Sequence, residues 1–400
     1  MLKTGSVDIA IVGGGMVGMA TALGLAKAGF QVAVVDRARP EAPSGEPDLR
    51  VSAINRASER WLRELGAWQR LPTERLGPYG AMAVWDKDSL GKIGFDAADL
   101  NEPNLGHIIE NRAIAHALWQ AAKDQPGLTQ YISAPKAMAL GEREAWLTLE
   151  DDTLLSARLL VAADGAHSWV REQAKVPLVF RDYGHHALVA TIRTQRPHDQ
   201  VARQVFLPDG PLALLPLADP HQCSIVWSSP PKQAEALSQC DAARFGQQLT
   251  VATDTRLGSL TLDSERAVFP LTMRYARDFV RPRLALMGDA AHTIHPLAGQ
   301  GVNLGFGDSQ TLVEVLSQAK ERDPGDLKLL NRYGRARKAA AQEMLAAMDG
   351  FRWLFAGNNP VKKGIRDLGL NLVDHAAPLK KRLLSHALGL GLQSHVSWNR

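Results

Sequence analysis

Three aspartates stand where a folded chain could put them to chemical use. Asp36, Asp164 and Asp289 each close a short apolar run, and glycines adjoin two of them, in Asp164-Gly165 and Gly288-Asp289. A strand ending in a carboxylate presents a hydrogen-bond acceptor for hydroxyl groups at a sheet edge. Two further glycine sets, Gly13-Gly14-Gly15-Met16-Val17-Gly18 and Gly299-Gln300-Gly301, precede helical patterns. Glycine at a helix start lets backbone approach a flat or anionic group, and the helix terminus supplies N–H donors. Side-chain acid–base catalysis finds less support. No Ser-His-Asp or paired-carboxylate arrangement is evident, and His292 and His295 sit in a loop of the kind where histidines commonly make structural hydrogen bonds. His185 and His186 are strand neighbours that point to opposite faces, and no Cys, Asp or Glu cluster accompanies them, so no metal site is expected.

The elements needed to position these residues can be read nearby. Residues 7–12 are rich in β-branched side chains and fit a buried parallel strand. The Gly13–Gly18 turn, a helix over 19–28 closed by Gly29, a strand over 30–35 and then Asp36 come next in order. This is the dinucleotide fingerprint in its strand-turn-helix-strand setting. Gly13 permits the tight turn, Gly15 a close approach to a pyrophosphate, and Gly18 close helix-to-strand packing, while Asp36 can accept from a ribose. The fingerprint alone does not separate FAD from NAD. Arg50 lies after a Pro-, Gly- and acid-rich loop and precedes a helix over 56–65. It is placed either to reach cofactor phosphates or to remain a surface charge. Asn111 reads as the N-cap of a helix over 113–123. Short strands over 138–140, 145–149 and 154–156 suggest a meander. A buried strand over 159–163 then delivers Asp164, and Ser168 opens a helix carrying Arg171. A strand over 284–287 delivers Asp289, with Pro296 and the Gly299–Gly301 helix start after it.

From Val179 onward, short strands at regular spacing suggest a mostly antiparallel sheet, with helix over 234–252. The expected fold is therefore α/β: a Rossmann-like, parallel-sheet dinucleotide-binding domain, an inserted antiparallel substrate domain, and a helical C-terminal region. The expected division is 1–75 with 100–180 and 275–345 for the first, 76–99 with 181–274 for the second, and 346–400 for the tail. Lys362, Lys363, Arg366, Lys380, Lys381 and Arg382 alternate with leucines at helical spacing in that tail. That spacing fits a helix packing one face on the body, and also a basic amphipathic segment for a membrane or partner.

The net charge of +4 is too small to argue for nucleic acid. Two cysteines, Cys223 and Cys240, make no disulfide framework, which suits a reducing compartment. Residues 7–28 are apolar, but Asp8, internal glycines and Lys27 interrupt them, so they read as the start of a fold and not as a targeting segment.

The ordered triplet of fingerprint, Ala163-Asp164-Gly165 and Gly288-Asp289 resembles the single-component flavin monooxygenases of the aromatic-hydroxylase type across nearly the whole chain. The run from Asp289 through His292, His295 and Pro296 to Gly305 looks like the ubiquinone-biosynthesis hydroxylase branch. Residues 49–55, 84–89 and 185–193 look closest to the bacterial 2-polyprenylphenol hydroxylases. The resemblance implies FAD held by Gly13, Gly15, Gly18, Asp36, Arg50, Asn111, Asp164, Gly165, Asp289, Pro296, Gly299, Gly301 and Asn303. Asp289 would bond the ribityl hydroxyls, and Pro296, Gly299, Gln300 and Gly301 would lie nearest the flavin ring. It further implies NAD(P)H as electron donor, O₂ as co-substrate, and hydroxylation of a polyprenylated phenol, at C5 of 2-polyprenylphenol, through a flavin C4a-hydroperoxide. No side-chain catalyst is implied. The alternatives are a sister hydroxylase acting at another ring carbon, a hydroxylase of a soluble aromatic, and a non-catalytic flavin-binding scaffold. Expected partners, besides the substrate, are other ubiquinone-biosynthesis proteins, a membrane surface met by the basic tail, and a second copy of the chain. The expected location is the cytoplasm, extending to the periphery of the inner membrane.

Overall fold

The computed structural model describes residues 4–88, 91–294 and 301–355. Its helices are α1 (Met16–Lys27), α2 (Arg56–Glu64), α3 (Asn111–Lys123), α4 (Trp169–Gln173), α5 (Pro231–Gln239), α6 (Ala242–Ala252), α7 (Gly301–Ser317) and α8 (Leu327–Phe355). The β-branched run at the start becomes the Thr4–Val12 strand at the centre of a parallel sheet. Leu154–Ala162 pairs with it on one side and Val32–Asp36 on the other, and Leu128–Ile132 and Leu284–Leu286 extend the two flanks in parallel. The chain builds outward from the centre in one direction, then returns to build in the other. Strand order therefore reverses between Thr4–Val12 and Leu154–Ala162, and in open α/β sheets a ligand crevice forms at such a switch point.

The two sheet faces are covered differently. On one, Ile9, Ile11, Val32 and Val34 pack against α1, α3 and α7 through Leu23, Leu118 and Leu312. On the other, Ala10, Val35 and Leu160 meet the Ala145–Leu149 strand and α8 residues. Burying one such aliphatic side chain is worth about 1.5–3 kcal/mol, so continuous apolar strands with two covered faces supply much of the driving force here. Leu154–Ala162 is a single strand. The two strands expected at 154–156 and 159–163 are one, because Leu155, Ala157 and Leu159 alternate inward without a turn residue between them.

A nine-stranded sheet runs His292–Thr293, Ala267–Ala276, Leu178–Thr194, Gln222–Ser229, Gly210–Pro216, Val201–Leu207, Ala81–Asp86, Lys92–Asp96, with Leu260–Leu262 added beside Leu178–Thr194. It is antiparallel except where Val201–Leu207 meets Ala81–Asp86. Period-2 alternation gives it two apolar faces. Leu188, Leu214 and Ile225 pack under α5 and α6 against Leu237, Phe245 and Leu249. Ala202, Ala213 and Leu215 face the other way, against Ala53, Tyr79 and Ile108 of a three-stranded sheet formed by Val51–Asn55, Gly77–Tyr79 and Gly106–Glu110.

Two local expectations are corrected. The helix expected over 234–252 is two helices, because Asp241 accepts the Arg244 N–H at 2.8 Å and caps α6. Asn111 is the first helical residue of α3, and Glu110 occupies the N-cap position without a side-chain cap bond. The Asn111 side chain is instead engaged sideways, accepting from the Ser52 hydroxyl at 2.6 Å. Helix α8 runs past residue 346, the expected start of the tail, to Phe355. Pro296, Gly299, Gln300, His295 and the basic tail beyond Phe355 lie outside the described residues. Among the described residues no helix is long and apolar enough to cross a membrane.

Candidate active site at the carboxyl edge of the parallel sheet

Four strands bring their carboxyl ends to one edge: Gly13 comes after the first strand, Asp36 ends the second, Ala163-Asp164 comes after Leu154–Ala162, and Gly288-Asp289 after Leu284–Leu286. Backbone bonds lock these ends in step. Gly13 N–H donates to Val35 O (2.8 Å), Ala163 N–H to Val12 O (2.8 Å) and Met287 N–H to Ala162 O (3.0 Å).

The glycine turn divides into packing and open positions. Gly13 has φ +105°, and a Cβ there would stand 2.3 Å from Ala163 O. A Cβ at Gly18 would lie 1.9 Å from Gly13 O. Those two positions are glycine because protein fills the space. Gly15 differs: an added Cβ would meet no atom of the described residues within 4 Å. Gly15 also stands at the N-cap of α1 with no side-chain cap bond, so the helix terminus opens onto this space. Open room over uncapped N–H groups is what an approaching pyrophosphate requires, and FAD fits the turn on that ground. The turn is clamped from both sides. Asp36 Oδ2 accepts the Gly14 N–H at 2.6 Å, and Trp119 of α3 donates from Nε1 to Gly14 O at 2.6 Å.

Asp289 is solvent-reachable yet crowded. Burial pushes its carboxyl pKa up, while the nearby charges of His292, Arg50 and Arg274 pull it back. Its carboxylate is reached by solvent with protein close around it. Among the described residues no side chain or backbone N–H is bonded to it. The structure brings Arg50 close enough to act on Asp289 electrostatically, with its own side chain exposed. Three residues later the chain joins the other sheet, where His292–Thr293 pairs with Ala267–Ala276. Asp289 thus lies at the junction of the two large sheets.

Asp164 behaves otherwise. Its Oδ1 accepts from Ser168 Oγ and its Oδ2 from Val170 N–H at 3.0 Å. Burial pushes its pKa up and these bonds oppose the shift. Its carboxylate serves the start of α4, and Gly165, at φ +85° with no atom of the described residues within 4 Å of an added Cβ, is the open part of this segment. Asn303 is also engaged within the protein. Its Nδ2 donates to Ala53 O (2.8 Å) and its Oδ1 accepts from Asn55 N–H (3.2 Å), fastening α7 to the Val51–Asn55 strand just after Arg50. Gly301, at the start of α7, like Gly15 has no atom of the described residues within 4 Å of an added Cβ.

Two supports carry little or no signal of their function in the sequence. Trp119 belongs to no motif, because its bond to Gly14 depends on how α3 packs. Asp308 has one cue: it sits four residues after Leu304 and four before Leu312, on the apolar side of α7, where a charge demands a partner. It is fully buried, and Gly288 N–H, His292 Nε2 and Arg337 Nε all bond it.

Comparison with known proteins agrees with this geometry. A family model described as FAD binding domain matches residues 6–348. The 3-demethoxyubiquinol 3-hydroxylase of Escherichia coli (strain K12) is 39% identical over 390 residues, covering 96% of this chain and 98% of its own length. The ubiquinone hydroxylase UbiL of Rhodospirillum rubrum is 35% identical, covering 96% of this chain and 89% of its own. Among solved structures, PqsL of Pseudomonas aeruginosa, described as a probable FAD-dependent monooxygenase, superposes with a TM-score of 0.76 at 20% identity, covering 92% of this chain and 99% of its own, and is evidence for the fold. An open glycine turn, a crowded acceptor at the sheet junction and this kinship agree: the chain belongs to the FAD-binding domain family and is a flavin-dependent monooxygenase of the aromatic-hydroxylase type.

Proposed function

We propose that the protein hydroxylates the aromatic ring of a polyprenylated phenol in ubiquinone biosynthesis, at C5 of 2-polyprenylphenol. The observation that carries the reading is the apolar face of the nine-stranded sheet next to the Asp289 junction. On that face Val226 and Met273 lie partly buried beside Tyr183 and Leu271, and Leu271 and Met273 stand on the Ala267–Ala276 strand that pairs with His292–Thr293. Such a surface suits a ring bearing a hydrocarbon chain and keeps water from it. FAD reduced by NAD(P)H supplies the activation of O₂. The chain's own tasks are to bind and to orient. Gly13, Gly15 and Gly18 shape the pyrophosphate turn, and Asp36 offers its second oxygen to a ribose. Arg50 brings positive charge to the phosphates, and Asn111 supports that wall through Ser52. The backbone at Gly165 borders the ring side, with Asp164 shaping its loop, and Asn303 holds the start of α7. Asp289 accepts from the ribityl hydroxyls. Residues 1–75, 100–180 and 275–345 would form the cofactor half, and 76–99 with 181–274 the substrate half. The surrounding pathway proteins, and an anionic membrane for the basic tail, are the partners this reading supplies.

One observation favours a second ring position: the 39%-identical relative is named for hydroxylating 3-demethoxyubiquinol. Deleting the gene in its host and weighing the quinone precursors separates the two. A prenylphenol lacking one hydroxyl supports the first position, and a demethoxy quinol supports the second. A normal quinone profile in aerobic growth, in a host with no redundant hydroxylase, refutes both.

A further inference from the structure

We infer that Asp308, which has no path to a ligand of its own, is a positioning residue for the cofactor site and sets the direction of the Asp289 carboxylate. The inference rests on the reading that Asp289 meets the ribityl chain. Asp308 lies on α7 and is wholly buried. Its Oδ2 accepts the Gly288 N–H at 2.8 Å and faces His292 Nε2 at 2.6 Å. Its Oδ1 accepts from Arg337 Nε at 2.6 Å, and the same guanidinium donates from Nη2 to Leu304 O at 3.0 Å. One carboxylate therefore holds both ends of the segment that carries Asp289, at residue 288 before it and residue 292 after it. Helix α8 braces the same turn a second time, where the Tyr333 hydroxyl donates to Leu286 O at 2.7 Å.

Stability alone does not call for this arrangement. A buried ion pair carries a desolvation cost that often cancels its Coulomb gain, and an apolar side chain on this face of α7 would pack without that cost. The backbone geometry shows what an apolar side chain could not do. Gly288 sits at φ +53°, in the left-handed region, with Val17 of the glycine-turn helix against it. In that conformation its N–H points away from the strand ladder and into the protein, where Asp308 receives it. Without that acceptor a buried N–H is left unsatisfied, and the turn has reason to change conformation. Asp289 is the next residue, so its carboxylate direction changes with the turn. Asp308 thus links α7 and α8 to the cofactor acceptor without touching the cofactor.

The test titrates purified apoprotein with FAD, monitoring flavin fluorescence, and records visible circular dichroism of each variant saturated with FAD. Wild type is compared with Asp308→Asn, Arg337→Lys and Asp289→Ala. Glu59→Gln serves as a control that breaks a different buried ion cluster, with Arg56, Arg63 and His107. Asp308→Asn is expected to weaken FAD binding roughly tenfold and to alter the flavin dichroism, and Arg337→Lys to do both to a smaller degree of about threefold. Glu59→Gln is expected to lower the unfolding midpoint with the dichroism unchanged. If Asp308→Asn folds with wild-type affinity and dichroism while Asp289→Ala binds weakly, the inference is overturned and the Asp289 reading stands. If Asp289→Ala also binds as wild type, the Asp289 reading fails and takes the inference with it. If Asp308→Asn does not fold, Arg337→Lys decides by the same criteria.

Discussion

Asp164 and Asp289 look alike in the sequence and differ in the fold. Each is delivered by a buried strand to the same sheet edge, and each adjoins a glycine in the left-handed region, Gly165 at φ +85° and Gly288 at φ +53°. Asp164 turns back and spends both oxygens on its own loop, at Ser168 and Val170. Asp289 stays exposed, its carboxylate unbonded among the described residues, with the Arg50 and Arg274 guanidiniums acting on it. The difference lies in where the chain goes after each acid. Beyond Asp164 it soon starts a helix, and exposed N–H groups at a helix start attract the nearest carboxylate. Beyond Asp289 it crosses to the second sheet, with no α-helix start among the described residues until Gly301. A carboxylate spent on its own loop contributes stability, and one left open is available for binding.

The largest expected effect falls on the open acid. Asp289→Ala should weaken FAD binding by about 10- to 100-fold, the loss of a charged acceptor worth roughly 1.5–3 kcal/mol, read by fluorescence titration of the apoprotein. Unchanged affinity would erase the distinction between the two aspartates. Next comes the closed acid. Asp164→Ala should remove its bonds to the start of α4 and lower unfolding free energy by about 1 kcal/mol in urea, with a smaller loss of FAD affinity than at Asp289. A greater loss of affinity than at Asp289 would invert the comparison. The smallest effect concerns pH. Burial raises the Asp289 pKa, so its contribution to apoprotein stability is fully present below the unfolded carboxyl pKa, near ~4, and is lost as pH rises through the higher folded value. Apo Asp289→Asn should therefore lose less stability than wild type as pH rises through that window, as read by urea unfolding at stepped pH. A wild-type slope would mean that Asp289 is not the crowded acid described.

Much of the parallel-sheet region is legible in the sequence because its constraints are local. Gly13 and Gly18 are demanded by contacts at 2.3 and 1.9 Å that any strand-turn-helix of this kind creates. The strands over 7–12, 30–35 and 284–287 lie within a few residues of their expected bounds, since β-branched and apolar runs between turn residues leave few alternatives. Expectation and structure part where distant residues compete for a local feature. Asn111 reads as a cap because Asn is a good cap, but Ser52, from a strand far away in sequence, engages its side chain. The strand over 154–162 reads as two, but Thr4–Val12 pairs along all of it, while Ala145–Leu149 joins its first part antiparallel and Leu284–Leu286 its last part in parallel, and only pairing reveals the one strand.

The residues alone determined the nature of the protein: a glycine turn set for a dinucleotide, acids at strand ends, and apolar alternation for a second sheet. These arise from backbone sterics and hydrophobic period, which act over a few neighbours. Tertiary structure decided which acid is free. Asp164, Asp289 and Asp308 are one residue type within a single chain. Their division into loop brace, open acceptor and buried anchor depends on N–H groups and guanidinium donors brought in from elsewhere in the fold. A hydrogen bond is decided by position in space, and for Asp308 the decisive donor, Arg337, lies on another helix.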